Sequence, residues 1–305
     1  MDLRQLAALV AVADRRSFSA AARALHTVQS NVSTHVARLE RELGVTLVDR
    51  SSGKLTDEGE AVVARARRVQ AEVEALLADV ASLGAAVSGS VRLGVIGTTA
   101  RWLVPRLLVA MRDRHPRVEL VVVEATTTTL GPQVIGGQLD LAVVNLPCAD
   151  DDLAAERLFD EDLLVVAPDG HPLAARERVT LAELARHPLL LGPQGTAFRD
   201  DLDAEAARAG VELRPQAEID GLRLVASLAF EGFGAAVVPA SAVPGWLSGA
   251  WARVTVDDLA RRQVGVATRR KGLLSAPARA LIDVLRDVVA TQLGDQPGLH
   301  PPGGG

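Results

Sequence analysis

Residues 17–43, SFSAAARALHTVQSNVSTHVARLEREL, constrain the fold more tightly than any other stretch of the chain. Two short amphipathic helical patterns lie here, only a few residues apart. The first, over residues 19–25, is dense in alanine, so a second helix can cross close against it. The second places Val32, Val36, Leu39 and Leu43 at i, i+4, i+7 and i+11, which predicts one buried stripe. Its opposite face opens with Gln29, Ser30, Ser33 and Thr34, small or amide side chains at the helix N-terminus. A helix-turn-helix inserts that end of its second helix into the DNA major groove. On these helices alone, any two-helix hairpin remains an alternative.

The next residues favour DNA. Arg50-Ser51-Ser52-Gly53-Lys54-Leu55-Thr56 has the composition of a short two-stranded wing with a glycine turn, carrying Arg50 and Lys54 toward phosphates. Residues 1–70 hold 11 Lys+Arg against 8 Asp+Glu, a net of +3, while the rest of the chain carries −8 of the total −5. A cationic end on an acidic body concentrates attraction for phosphates at one place. The excess is modest, so affinity is expected to need two such ends together. Ser17, Ser19, His35 and Arg38 complete the candidate DNA-facing set.

In register, Met1-Asp2-Leu3-Arg4-Gln5-Leu6, Ser17-Phe18, Ala21-Ala22, Leu25-His26, Gln29-Ser30, Val32-Ser33, Leu39-Glu40, Glu42-Leu43-Gly44-Val45, Leu47, Arg50 and Leu55-Thr56-x-x-Gly59 resemble the DNA-binding domain of LysR-type transcriptional regulators. The similarity continues more weakly to about residue 292. It implies a multidomain α plus α/β chain: an N-terminal winged helix-turn-helix, a long linker helix, and a periplasmic-binding-protein-like α/β effector domain of two subdomains. It also implies dimers or tetramers, promoter DNA with RNA polymerase as a further partner, and a small-molecule effector. Gln29, Ser30, Ser33 and Thr34 would then face base edges, with Arg38 and Lys54 nearer the backbone. Two departures stand out. Thr34 and His35 replace the basic residue common early in the recognition helix. Thr27-Val28 at the helix entrance suggests an N-cap one residue early.

Between Asp57 and Gly84 there is no proline and no glycine apart from Gly59. Val62, Ala66, Val69, Val73, Leu76, Val80 and Leu83 recur at alternating spacings of four and three. A 3.5-residue seam favours pairing with another helix over burial of a broad face. The alternative is a helix packed on its own domain. Two paired heads would read an interrupted palindrome.

From Val91 the pattern becomes strand–helix alternation, which predicts two α/β lobes with parallel sheets. The expected organisation is a DNA-binding domain over residues 1–58, a dimerisation helix over 59–88 and an effector domain over 89–294. Within it, lobe I takes about 89–160 and 263–294 and lobe II about 161–262, with crossings near residues 145–147 and 256–262. Residues 295–305, DQPGLHPPGGG, read as a disordered tail.

Ligands of open α/β sheets sit beyond the carboxyl ends of strands, and helix N-termini receive anions. Thr98 and Thr99, then Thr126, Thr127, Thr128 and Thr129, and Gly195 with Thr196 occupy such turns. With Asn145 they form the candidate site for a small, anionic effector. Each threonine equally fits simple helix capping. Arg101, Arg199 and Arg223 fit either added cleft charge or solvated surface.

Other classes fare worse. No histidine pair forms HExxH, and GxSxG, GxGxxG and the phosphate-binding GxxxxGK[ST] are absent, so neither catalysis nor a metal nor a cofactor is expected. The single Cys148 fits a reducing cytosol and has no partner for a redox switch. No apolar run spans a membrane and no leader pattern precedes the first helix, so a cytoplasmic protein is expected rather than an exported solute receptor. A nucleoid-type binder would leave the cleft unexplained.

Overall fold

A computed structural model describes every residue except Ala85, Ala149, Gly304 and Gly305. The N-terminal domain packs α1 (Leu3–Arg15), α2 (Phe18–Ala24) and α3 (Gln29–Leu43) around Leu6, Leu9, Ala21, Val32, Val36, Leu39 and Leu47. A capping box starts α1: Asp2 accepts from the Gln5 N–H, and the Gln5 side chain accepts from the Asp2 N–H. Alanines on α2 allow the close crossing of α1. Of the predicted stripe on α3, Val32, Val36 and Leu39 are buried, but Leu43 is exposed, because Gly44 in the left-handed conformation turns the chain away there. The N-cap of α3 is Val28, not Thr27; the Thr27 hydroxyl instead accepts from Asn31 Nδ2 at 3.0 Å. The wing is minimal, a single bridge between Val48 and Leu55.

The long helix α4 (Asp57–Ser82) is capped by Thr56, whose hydroxyl accepts from the Gly59 N–H. Gly59 is required for packing: a β-carbon there would lie 2.0 Å from the Leu47 carbonyl oxygen.

Lobe I contains β1 (Ser88–Val95), α5 (Gly97–Arg114), β2 (Arg117–Glu124), α6 (Thr127–Ile135), β3 (Leu141–Leu146) and β4 (Leu153–Glu161). Lobe II follows with β5 (Leu163–Pro168), β6 (Arg178–Val179), α7 (Leu181–Leu184), β7 (Pro188–Leu191), α8 (Ala197–Arg208), β8 (Arg214–Glu218), α9 (Leu222–Phe230), β9 (Ala236–Pro239) and β10 (Trp251–Val256). The chain returns to lobe I as β11 (Arg262–Arg269), α10 (Ala276–Gln292) and β12 (Leu299–His300). The sheet orders are β12-β4-β11-β3-β1-β2 and β6-β10-β5-β9-β7-β8.

Three expectations need correction. The sheets are mixed, not parallel: β11 runs antiparallel to β3 and β4, and β5 antiparallel to β9 and β10. The strand that arrives in each sheet from the other lobe, β5 or β11, runs against the β–α–β strands, whereas the departing strands β4 and β10 run with them. The first crossing lies at Asp162, between β4 and β5, not at residues 145–147, because β4 remains in the lobe I sheet. Finally, much of the supposed tail is ordered. Leu299 and His300 pair with Glu161 and Asp160, and His300 Nε2 lies 2.8 Å from Asp162 Oδ2. The Gly298 carbonyl accepts from the Asp162 N–H, and Gln296 Oε1 from the Gly245 N–H of lobe II. Gly298 has φ +83°, and a β-carbon there would strike Ala240. The segment thus braces the hinge; Gly304 and Gly305, at the end of the same stretch, fall outside the described residues.

Candidate DNA face, pairing seam and effector cleft

Gln29, Ser30, Thr34, Arg38 and Lys54 are exposed, and the first three share the outer face of α3's N-terminal half. Ser19 Oγ donates to Gln29 Oε1 at 2.6 Å, tying α2 to the start of α3. Ser17 does a different job from the one expected: its hydroxyl caps α2 by accepting from the Ala20 N–H. His35 is also displaced from the candidate set. It is half-buried, with Nδ1 shielded from solvent and without a hydrogen-bond partner among the described residues, which leaves less of its ring open to DNA.

Arg50 is engaged within the domain. Its guanidinium donates to Ser33 Oγ and Glu40 Oε2, each at 2.9 Å, and lies 5.0 Å from the Phe18 ring centre. Glu40 also accepts from the backbone N–H groups of Leu47 and Val48, at 2.9 and 3.2 Å. Burial alone would raise the Glu40 pKa; these N–H bonds and Arg50 outweigh it and hold the carboxyl below its ordinary value. Glu40 therefore stays charged at neutral pH and pins the wing to α3. The sequence identified Arg50 but missed Glu40, whose role depends on partners brought close only by the turn at Gly44.

Along α4 the seam divides. Ala66 is buried in the N-terminal domain and Val62 packs against the same core, because the first turns of the helix lie on α1. These two are therefore occupied within the chain. Val73 is half-buried, whereas Val69, Leu76, Val80 and Leu83 are exposed, at 41%, 61%, 60% and 86%, with Leu77 beside them. The other side of α4 is fixed to lobe I: Arg68 Nε donates to the Ile135 carbonyl, Glu74 pairs with Arg92, and Asp79 accepts from the Ala276 N–H. An open apolar stripe thus runs along a helix that its own chain holds rigidly on the remaining sides.

In the cleft, Thr98 and Thr99 form the first turn of α5 and are almost wholly buried. Thr98 Oγ1 accepts from Arg262 at 3.0 Å. Thr127 Oγ1 accepts from the Asn145 N–H, while Thr126 Oγ1 bonds the hydroxyls of Thr128 and Thr129. The structure therefore links Thr127 with Asn145 at the strand ends of lobe I, and Thr98 with the hinge. Gly195 and Thr196 bond within their own lobe II turn, to Asp200 and the Pro193 carbonyl. The Thr99 hydroxyl, Asn145 Oδ1, Trp102 Nε1 and Ser241 hydroxyl are buried without hydrogen-bond partners among the described residues.

Two of the three arginines, Arg199 and Arg223, are paired with carboxylates. Arg199 is buried and bound to Asp203, Glu218 and the Gly192 carbonyl, so it braces lobe II. Arg223 of lobe II pairs with Glu124 of lobe I at 2.9 Å, beside Gly97, and Arg101 lies over Trp246. At the hinge, Arg262 Nε donates to the fully buried Glu161 at 2.7 Å, and Glu161 also accepts from the Ser241 N–H. The sequence singled out neither Glu161 nor Glu124. For Glu161 the signal available was three consecutive acids, Asp160, Glu161 and Asp162, between Leu158-Phe159 and the apolar run that starts at Leu163.

Residues 3–60 match the family model described as bacterial regulatory helix-turn-helix protein, lysR family, and residues 84–290 match the LysR substrate binding domain. The chain is 35% identical over 296 residues to a probable hydrogen peroxide-inducible genes activator of Streptomyces viridosporus, covering 94% of each. It is 33% identical over 246 residues to the DNA-binding transcriptional dual regulator OxyR of Escherichia coli, covering 80% of this chain and 81% of that one. A full-length OxyR variant from Pseudomonas aeruginosa superposes with a TM-score of 0.78 at 27% identity, covering 100% of this chain and 99% of that one.

Proposed function

The chain belongs to the lysR family of bacterial regulatory helix-turn-helix proteins, and from that premise we propose which of its residues read DNA, pair subunits and sense an effector. It is a DNA-binding transcriptional regulator with an effector-binding domain, not an enzyme. Gln29, Ser30, Ser33 and Thr34 read base edges, Arg38 and Lys54 meet the phosphate backbone, and Arg50 holds the wing. Val69, Val73, Leu76, Val80 and Leu83 pair α4 with a second copy. The effector binds beside Thr98, Thr99, Thr127 and Asn145, with Gly195 and Thr196 on the facing lobe. Residues 1–58, 59–88 and 89–294 are the corresponding functional units. No helix among the described residues is long and apolar enough to cross a membrane, and we place the protein with its DNA in the cytoplasm.

The observation that carries the DNA reading is the exposed Gln29 amide at the entrance of α3, tied to α2 through Ser19. A Gln amide discriminates adenine by pairing with both its N6 and N7. Gln29→Ala is therefore expected to lower operator affinity roughly tenfold or more while leaving affinity for random DNA nearly unchanged. Gel-shift titration on both DNAs at one salt concentration checks this. Equal losses would remove Gln29 from the base-reading set.

Several relatives are named for induction by hydrogen peroxide. This chain has one cysteine, so it cannot close an intrachain disulfide. Burial pushes the Cys148 thiol pKa up, which lowers its thiolate fraction and reactivity. We therefore assign the response to a reversibly bound small molecule. Peroxide treatment is expected to leave operator affinity unchanged, in wild type and in Cys148→Ser alike. A peroxide-dependent shift lost in Cys148→Ser would reverse the assignment. The pairing of Arg199 and Arg223 with carboxylates also argues against a site dominated by free positive charge.

A further inference from the structure

We propose that Arg16 is a further phosphate-binding residue, which grips the DNA backbone together with Lys54 where the α1–α2 turn meets the wing. The inference rests on the wing lying against the backbone, as proposed above for Lys54. Among the described residues, eleven glycines have positive φ, and only two other residues share it: Arg16 at +49° and His26 at +50°. Histidine enters the left-handed region several times more readily than most side chains do; arginine has no such tendency. Arg16 is the C-cap of α1, where its N–H donates to the Val12 carbonyl at 2.8 Å. Glycine would make the same bond without the steric cost of a β-carbon. The backbone thus gains nothing from arginine at this position, and what the residue adds is a long cationic side chain.

The surroundings leave that charge open. Arg16 and Lys54 are exposed, and neither side chain has a carboxylate partner among the described residues. The acids on either side are already engaged. Asp14, in the last turn of α1, pairs with Arg67 of α4, and Asp49, in the wing, accepts from the hydroxyls of Ser51 and Ser52 at 2.6 and 2.7 Å. The other wing arginine, Arg50, is held by Ser33 and Glu40. Packing brings the two open cations to one seam: a β-carbon on Gly53 would lie 2.9 Å from the Arg16 carbonyl oxygen, and Lys54 follows Gly53 directly. Two separate elements, the end of α1 and the wing turn, therefore present positive charge side by side.

The consequence concerns affinity, not base choice. A guanidinium fork fits the two free oxygens of a backbone phosphate, and the Lys54 ammonium adds a point charge beside it. Such contacts position a protein on any duplex and carry no base preference. They also release counterions, so each one makes binding more salt-dependent. The unfavourable backbone at Arg16 is then local strain retained for a binding contact.

Titration of the full-length protein over a range of salt concentrations tests this, on a duplex of arbitrary sequence and on one that the wild type selects from a randomised library. The variants are Arg16→Gln, Arg16→Gly, Arg16→Lys and Lys54→Gln. Each phosphate contact contributes about 0.9 to the slope of log affinity against log salt. Arg16→Gln should flatten the slope by about that amount per bound head and lower affinity about fivefold or more at low salt, equally on both duplexes. Arg16→Lys should restore most of the slope. Arg16→Gly should bind as weakly as Arg16→Gln yet melt about 2–4 °C higher than wild type, because glycine relieves the backbone. An unchanged slope in Arg16→Gln, a loss confined to the selected duplex, or an Arg16→Gly variant that melts no higher than wild type would each overturn the inference. If Lys54→Gln leaves the slope unchanged as well, the placement of the wing on the backbone fails, and with it the reading on which the inference rests.

Discussion

Replacing both Val69 and Leu76 with glutamate is expected to yield a monomer whose affinity for a two-half-site operator falls about a hundredfold or more. Both side chains project into solvent from a helix already fixed by its chain, so the subunit's own melting temperature should change little. In a dimer they face an apolar stripe, and two carboxylates there would be buried without partners. The affinity loss follows from effective concentration: two joined heads make the second half-site contact intramolecular, which is typically worth 10² to 10⁴. Sedimentation and operator titration must move together. An unchanged oligomer would mean that the stripe is not the pairing surface; a monomer with full affinity would mean that one head suffices.

Arg262→Ala should be the most destabilising single change in the effector domain. It strands Glu161, a carboxylate with no solvent exposure, leaving it only the Ser241 N–H. Removing one partner of a buried pair costs about 3–5 kcal/mol. For a domain of this size that corresponds to a fall in melting temperature on the order of 10 °C. The same change unties Thr98 from the hinge, so any effector response should weaken beyond the stability loss. Glu161→Gln keeps an acceptor for Ser241 and should be milder. Calorimetry on both variants decides the matter: a shift of only a degree or two for Arg262→Ala would show that water or a neighbour replaces the guanidinium.

The parts of this molecule that were legible in its sequence are those written in local periodicity. The outer face of α3, the 3.5-residue recurrence along α4 and the strand–helix alternation from β1 to β3 each depend on residues within a few turns of one another. What escaped depends on long-range partners. The strand β4 carries Glu156, Arg157, Asp160 and Glu161, which compete with a strand reading until Arg286 and Arg262, far along the chain, are placed beside them. Helix spacing places His35 beside the reading residues but does not reveal its partial burial. Ser17 and Thr196 both bond local backbone groups, a capping role that sequence alone does not separate from a contact with DNA or effector. The Pro/Gly-rich composition of residues 295–305 suggested disorder, yet a two-residue ladder and the Gln296 and His300 side chains are enough to place part of it.

That placed segment changes the mechanics of the two lobes. Two adjacent crossings, at Asp162 and at residues 257–261, would by themselves behave like a door on a pair of pins. Residues 296–300 add a noncovalent tie to both Asp162 and Gly245. Such a tie restrains the hinge: to swing wide, the lobes must first break the Gln296–Gly245 bond, while β12 stays on β4 in the lobe I sheet. The tie thereby opposes gaping of the two lobes without adding a covalent link between them.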